Sequence, residues 1–184
     1  MFSAKDIKES DQEEREFKGI YTTETLDKRY VEQAYDNDLK LYDDSIKMIE
    51  SYFTDNKLEK NIVSPVNHPL NLDQVIDDGI GFINYSKAFQ LQDNEAIQFL
   101  AFAFNDFLIR NLNFKLYLDK DPEFPLRTMV LKYDQDGIVL SLYPFEYTLK
   151  VVSNESSFDK LYNKVKNKLE GIPPIGENPG NFIG

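Results

Sequence analysis

The sequence predicts an α+β fold, in which a four-stranded antiparallel meander packs on a buried central helix. Residues 96–112 are apolar on nearly every side, which is typical of a helix that is buried on more than one face. After this segment, apolar and polar residues alternate with period two, as they do in strands that have one face on a core. The alternation predicts four strands, at 114–118, 128–133, 138–143 and 147–152.

Turn signals separate the later strands. Residues 134–137 read Asp-Gln-Asp-Gly, and Gly137 can adopt the positive φ that a tight hairpin turn requires. Pro144 has no N–H to donate to a neighbouring strand, so we expect a turn or a sheet edge between the third and fourth strands.

Helical patterns bracket this module on both sides. Thr25 is the expected N-cap of a long amphipathic helix over 25–53, because apolar residues from Tyr35 to Phe53 follow steps of four and three. We expect this helix to pack on its own domain, and an inter-chain helix pair is the alternative. Shorter helices are predicted at 72–76, at 82–89 and, closing the domain, at 156–170.

Polar residues that can cap these helices stand at the expected boundaries. Asn71 precedes the second helix, and Asp93 or Asn94 can cap the central one. Ser153 or Asn154 can cap the last helix.

The chain therefore divides into three parts. Residues 1–24 form an acidic lead-in that we expect to be flexible, because it has many charges and few apolar anchors. Residues 25–171 form the single α+β domain, and residues 172–184 form a tail that is rich in proline and glycine.

Charge and composition exclude several classes of protein. The chain has 184 residues and a net charge of −11, which argues against nucleic acid and against anionic membrane surfaces as ligands. No apolar run approaches the roughly 20 residues that span a bilayer, and no apolar signal follows the first residues, so a cytoplasmic protein is expected. The negative charge favours a basic protein partner, although it also serves simple solubility.

No catalytic, cofactor-binding or metal-binding constellation is recognisable, and no cofactor is predicted. His68 is the only histidine and lies in a loop without a nucleophile or metal ligand nearby in sequence. The chain has no cysteine, and the alternating acids from Asp119 to Glu123 lack the central glycine of a calcium loop. An enzyme built on carboxylates would have to gather acids such as Asp77, Asp78, Asp106 and Asp119 in one pocket.

The polar face of the predicted sheet is the candidate partner-binding surface. Tyrosines and lysines share one strand parity, and such side chains on an open sheet can bind a protein or a peptide. The simpler interpretation is that lysines keep the exposed face of a sheet soluble. The candidate residues are Lys115, Tyr117, Lys132, Tyr143 and Lys150.

The module of helix and strands resembles a bacterial family known only as a domain of unknown function. The resemblance rests on the segment 96–110 and on Leu142-Tyr143-Pro144-Phe145 with the residues 147–152, and it covers about 93–152. It implies no activity and no site residues. By class alone, a small acidic α+β domain also resembles bacterial immunity proteins.

These observations predict a non-enzymatic protein-binding domain, for which an immunity-type inhibitor of a basic effector is one specific role. A carboxylate-based enzyme is one alternative. A domain that binds a small ligand between the sheet and the helices is the other.

Overall fold

The computed structural model describes residues 29–33, 39–59, 62–135 and 138–171. The predicted lead-in at 1–24, the cap at Thr25, the turn glycine Gly137 and the tail at 172–184 lie outside them. The elements follow in the order β1 (Tyr30–Gln33), α1 (Leu39–Asp55), α2 (Pro69–Asp77), α3 (Phe82–Lys87), α4 (Asp93–Leu112), β2 (Lys115–Asp119), a 3-10 helix (Pro125–Arg127), β3 (Met129–Gln135), β4 (Ile138–Leu142), α5 (Pro144–Val152) and α6 (Phe158–Glu170). The predicted α+β class is confirmed.

One antiparallel sheet contains the four strands in the spatial order β1-β2-β3-β4. Gln135 pairs with Ile138, so β3 and β4 form the predicted hairpin with a two-residue connection. The described part of the connection from β1 to β2 instead contains the helices α1 to α4. Leu116 and Leu131 are paired on the inner face and are buried, because this face packs on the helices.

The central helix α4 is the longest element and the middle of the core. Leu100, Phe104 and Leu108 are fully or almost fully buried, and α1, α3 and α5 all contact this helix. Its N-cap is Gln92 rather than Asp93 or Asn94, because the side chain of Glu95 accepts the backbone N–H of Gln92 at 2.7 Å. This reciprocal capping box satisfies N–H groups that have no partner within the helix.

The segment 147–152, predicted as a strand, belongs to helix α5. Pro144 stands at the first position of this helix, where its fixed φ is favourable and its missing N–H costs nothing. The buried residues Pro144, Thr148 and Val151 follow steps of four and three, which place them on one helical face. The alternation of Tyr147, Leu149 and Val151 was therefore misleading.

The long helix predicted over 25–53 is also wrong in its first half. Helix α1 begins at Leu39, and the predicted apolar stripe holds within it through Tyr42, Ile49 and Phe53, which are fully buried. Tyr30–Gln33 forms β1, which pairs with β2 and is the fourth strand of the sheet, at the edge opposite to β4. Aromatic and β-branched residues such as Tyr30 and Val31 favour a strand when a sheet edge is available.

The caps of two further helices differ from the prediction. His68 caps α2, while Asn71 is buried and donates to three backbone carbonyls in the preceding loop. Ser157 caps α6 by accepting the N–H of Lys160 at 3.1 Å. Asp73 of α2 accepts the N–H groups of both Phe158 and Asp159, at 2.7 Å and 2.9 Å, and so ties α2 to the start of α6.

Candidate functional site

The outer face of the sheet brings four of the five candidate residues together. Lys115 and Lys132 are direct cross-strand partners on β2 and β3, and Tyr117 shares their face. Tyr143 follows β4 two residues after Ser141, the partner of Lys132, and so has the same parity. Lys150 lies instead on helix α5, which corrects its predicted position on the sheet.

Tyr30 of β1 lies on the same face, and its ring contacts Lys132. The ammonium nitrogen of Lys132 lies 3.2 Å from the ring centroid of Tyr30 and 5.3 Å from that of Tyr117. Burial, the neighbouring Tyr143 and a hydrogen bond with its hydroxyl raise the pKa of Tyr30 to about 12. Val130, on the same face, is fully buried, so these side chains form a covering layer.

Arg127 extends this layer beyond β4. Its guanidinium carbon lies 4.9 Å from the ring centroid of Tyr143 and 5.1 Å from that of Phe124. Its Nε donates to Glu146 at 2.6 Å, and Lys150 lies 3.2 Å from the same carboxylate. Glu146 therefore connects Lys150 with the sheet residues. We call Tyr30, Tyr117, Arg127, Lys132 and Tyr143 the tyrosine–cation layer.

A nearly buried ion pair fixes β1 at one end of the layer. Arg29 donates from Nε and Nη2 to the two carboxylate oxygens of Asp119, at 2.8 Å and 2.7 Å. Asp119 is only 4% exposed. Burial is the largest single influence and would raise the pKa of this carboxyl, but the hydrogen bonds from Arg29 and from the backbone N–H of Asp121, together with the charges of Arg29 and Lys132, outweigh it and hold the pKa below its usual value. The pair therefore stabilises the ionised form of Asp119.

At the exposed edge of the layer, Lys115 and Tyr117 both contact Glu32. Lys115 lies 3.0 Å from Glu32 of β1, and the hydroxyl of Tyr117 donates to the same glutamate at 3.3 Å. These contacts are exposed and screened by solvent, so each contributes little to stability. The layer itself contains two cations, Arg127 and Lys132, and no acid, in contrast to the acidic chain as a whole.

Sequence reasoning missed the contributions of Arg29, Tyr30, Glu32 and Arg127. The first three were assigned to a helix or its approach. The available signal was the alternation of polar and apolar residues across Tyr30-Val31-Glu32, which is short but typical of an edge strand. Arg127 ends the short 3-10 helix that begins at Pro125, and no local sequence pattern indicates its contact with Tyr143.

A second feature, an apolar groove of about 590 Å³, lies between the end of the sheet and the helices. Helices α1, α4 and α5 line it together with the 3-10 helix and the start of β3. Leu126 and Leu149 on its rim are 41% and 39% exposed. The principal lining side chains are Leu41, Ile97, Phe102, Leu126, Met129 and Leu149.

The candidate carboxylates belong to separate structural networks. Asp106 of α4 is buried, accepts the amide of Asn67 at 2.8 Å and pairs with Arg110 at 2.8 Å. Asp119 pairs with Arg29. The described residues contain no group of three or more acidic, histidine or cysteine side chains that could hold a metal ion.

The single histidine has a structural contact. His68 Nδ1 accepts the backbone N–H of Leu70 at 3.2 Å, and the ring meets the edges of Phe107 and Tyr162. Burial lowers the pKa of His68, while nearby Asp159 acts in the opposite direction. Its place is therefore that of a neutral helix cap.

Searches of protein-family models, curated proteins and solved structures gave no match to this chain. Among the helices that the structure describes, none combines the length and the apolar character needed to span a membrane. The functional argument therefore rests on the geometry of the tyrosine–cation layer and of the groove.

Proposed function

We propose that this protein is a non-enzymatic domain that binds a basic protein partner in the bacterial cytoplasm, as an immunity-type inhibitor of an effector. The observation that supports this proposal is the tyrosine–cation layer. It is a half-exposed sheet face on which aromatic rings and cations already contact one another without a partner.

Ordered tyrosine and arginine side chains are suited to protein binding. Residues that dominate interface energies are enriched in tyrosine, tryptophan and arginine. Binding normally costs free energy because flexible side chains become fixed. Lys132 is held between two rings, and Arg127 lies against two rings and a carboxylate, so much of this ordering has occurred during folding.

The charge of the chain supports a basic partner. A net charge of −11 attracts a basic protein over distances of about a Debye length and accelerates its encounter. Because the layer itself carries two cations and no acid, we expect the long-range attraction of a basic partner to come from acidic residues elsewhere. Contacts at the layer then provide specificity.

The carboxylate-enzyme alternative has less support. Asp106 and Asp119 each have their own hydrogen-bonded partners, and these partners differ. Shared acid–base chemistry requires two carboxyl groups to face one substrate. Their arrangement is better explained by structural roles.

Binding can be tested with the products of genes adjacent to the one that encodes this chain. The tagged full chain is mixed with each purified product, and the affinity for any partner is measured by calorimetry. Tyr117→Ala is expected to weaken binding at least tenfold, because truncating a central interface tyrosine commonly costs about 2 kcal/mol.

Lys164→Ala on α6 is the matched control, because Lys164 is exposed and distant in sequence from the layer. This variant should bind as the wild type does. The proposal fails if no neighbouring product binds and the chain does not protect cells against a co-expressed effector. Equal loss of affinity in both variants would remove the layer as the contact surface.

A further inference from the structure

A small cavity lies beside the tyrosine–cation layer, apart from the apolar groove. Its volume is about 190 Å³, and it is formed where the inner face of β3 and β4 meets α4, α5 and α6. Tyr143 of the layer lines the cavity, and so do Glu146 and Lys150 of α5. The cavity therefore adjoins the surface that we propose for partner binding, and it includes Lys150, the candidate residue that does not lie on the sheet.

The buried part of this cavity is apolar. Phe104, Leu108 and Leu131 line it and have almost no exposed surface. Leu142 and Leu161 also line it but are only half-buried, so part of their apolar surface is in contact with water. An apolar group that entered the cavity would remove this surface from water, which favours binding.

The charged side chains at the cavity already have partners. The carboxylate of Glu146 accepts from Arg127 Nε at 2.6 Å and from Lys150 Nζ at 3.2 Å. The hydroxyl of Tyr147, which also lines the cavity, donates to the carbonyl of Ser157 at 2.8 Å. A charged occupant would lose hydration among the buried apolar side chains. A cation would in addition meet the two cations that already share Glu146, so the chemistry favours a neutral, apolar occupant.

The volume of the cavity matches one aromatic ring. A cavity of about 150 Å³ with aliphatic and aromatic walls admits benzene. The volume of about 190 Å³ is therefore sufficient for one phenyl ring and falls well short of the volume for two. Phe104 and Tyr147 provide aromatic walls, and aromatic pairs are most stable when the rings are offset or meet edge to face.

We propose that the partner inserts one phenylalanine side chain into this cavity and so anchors its contact with the tyrosine–cation layer. The inference rests on the proposed partner binding, and it names the type of residue that the partner presents. Residues that dominate interface energies commonly fill an apolar pocket that a polar rim surrounds. Here the cavity is the apolar pocket, and Arg127, Tyr143 and Lys150 belong to the rim.

The neutral probe N-acetylphenylalanine amide tests the cavity without a partner. The probe is titrated into the full chain labelled with nitrogen-15, and saturable shifts are expected at the backbone amides of Leu131, Leu142 and Lys150. N-acetyllysine amide should bind at least about tenfold more weakly, because its charge would lose hydration in the cavity. The absence of these shifts, or tighter binding of the lysine probe, would overturn the proposal. Shifts confined to Leu126 and Met129 would place the probe in the groove and would overturn it as well.

A substitution that fills the cavity provides the matched comparison. Leu161→Phe enlarges a lining side chain and is expected to weaken binding of the phenylalanine probe at least about tenfold. Leu169→Phe makes the same change at a half-buried residue of α6 that does not line the cavity, so probe binding should be unchanged. Amide shifts far from α6 establish that each variant is folded. Equal binding by the wild type and Leu161→Phe would contradict the proposed position.

The affinity for the partner separates this inference from the proposed function. Leu161→Phe is expected to weaken partner binding at least about tenfold, as Tyr117→Ala does, whereas Leu169→Phe should not. Loss of affinity in Tyr117→Ala without loss in Leu161→Phe would overturn the phenylalanine anchor alone. The absence of any partner, with the probe titration intact, would instead overturn the proposed function. The comparison of the two probes uses the wild-type chain and so does not depend on the folding of a variant.

Discussion

The tyrosine–cation layer and the apolar groove differ in how many of their side chains already have contacts within the chain. In the layer, Lys132 lies against two tyrosine rings and Arg127 against an aromatic ring and a carboxylate. In the groove, Leu126 and Leu149 keep about two fifths of their surface exposed. The layer is thus a finished surface that a partner can contact. The groove leaves apolar side chains open to solvent.

The largest expected loss of stability comes from breaking the Arg29–Asp119 ion pair at one end of the layer. Asp119→Ala would leave Arg29 without its two charge-assisted hydrogen bonds, and we expect a loss of about 2–4 kcal/mol in the free energy of unfolding. Urea denaturation measures this loss. Hydrogen exchange should become faster in β1, because the pair holds that strand at the sheet.

Asp121→Ala is the control for this variant, because Asp121 is an exposed acid in the same loop. It should cost less than about 0.5 kcal/mol. The lowered pKa of Asp119 means that its contribution is present above the pKa of the unfolded chain and is lost as pH falls through the folded pKa. Equal acid sensitivity in Asp119→Ala and the wild type would contradict this assignment.

A smaller effect is expected at the centre of the layer. Lys132→Met keeps most of the side-chain stem but removes the charge that lies over the rings of Tyr30 and Tyr117. A cation–π contact contributes about 0.5–2 kcal/mol, so we expect a loss of about 1 kcal/mol by urea denaturation. Lys164→Met on α6 should be neutral. A stabilised Lys132→Met would show that the layer is held by packing rather than by charge.

The smallest expected change in stability is at His68, which lies in neither the tyrosine–cation layer nor the groove. The pKa of His68 is lowered by burial, so the unfolded chain binds its proton more readily. The stability that its neutral ring contributes is present above the unfolded pKa of about 6.5 and is lost as pH falls through the lower folded value. We therefore expect the free energy of unfolding to decrease as the pH falls from about 7.5 to about 5.5.

His68→Asn retains a side chain that can cap α2 but does not titrate, so its stability should change less over this window. Thermal unfolding at the two pH values provides the measurement. The tyrosine–cation layer contains no histidine, so partner binding at the layer should persist at the lower pH. A variant with the same pH dependence as the wild type would exclude His68 as the titrating group.

Local patterns predicted the central helix and three of the strands, because each of these elements shows its burial in its own sequence. The segment 144–152 was misread because its apolar residues fit both period two and helical spacing. Only the position of Pro144 at the start of α5 distinguishes the two. Propensity cannot resolve such a segment without its tertiary contacts.

The sequence predicted only the part of the candidate site that lies on one face of the sheet. Strand parity placed Lys115, Tyr117, Lys132 and Tyr143 together, and the structure bears out their common face. Tyr30 was missed because its partner Asp119 is far away in sequence. The groove had no sequence signal, because its lining extends from Leu41 to Leu149 and forms only when several elements pack.

The long connection between β1 and β2 has a consequence for the order of folding. The β3–β4 hairpin needs only a two-residue turn, whereas β1 must close a loop that carries α1 to α4. Closing so long a loop loses more chain entropy, and non-local pairing is slow. We therefore expect β1 to join the sheet last and to open first. Transient release of this edge strand would expose unpaired backbone of β2, so the Arg29–Asp119 pair also protects the protein against strand exchange and aggregation.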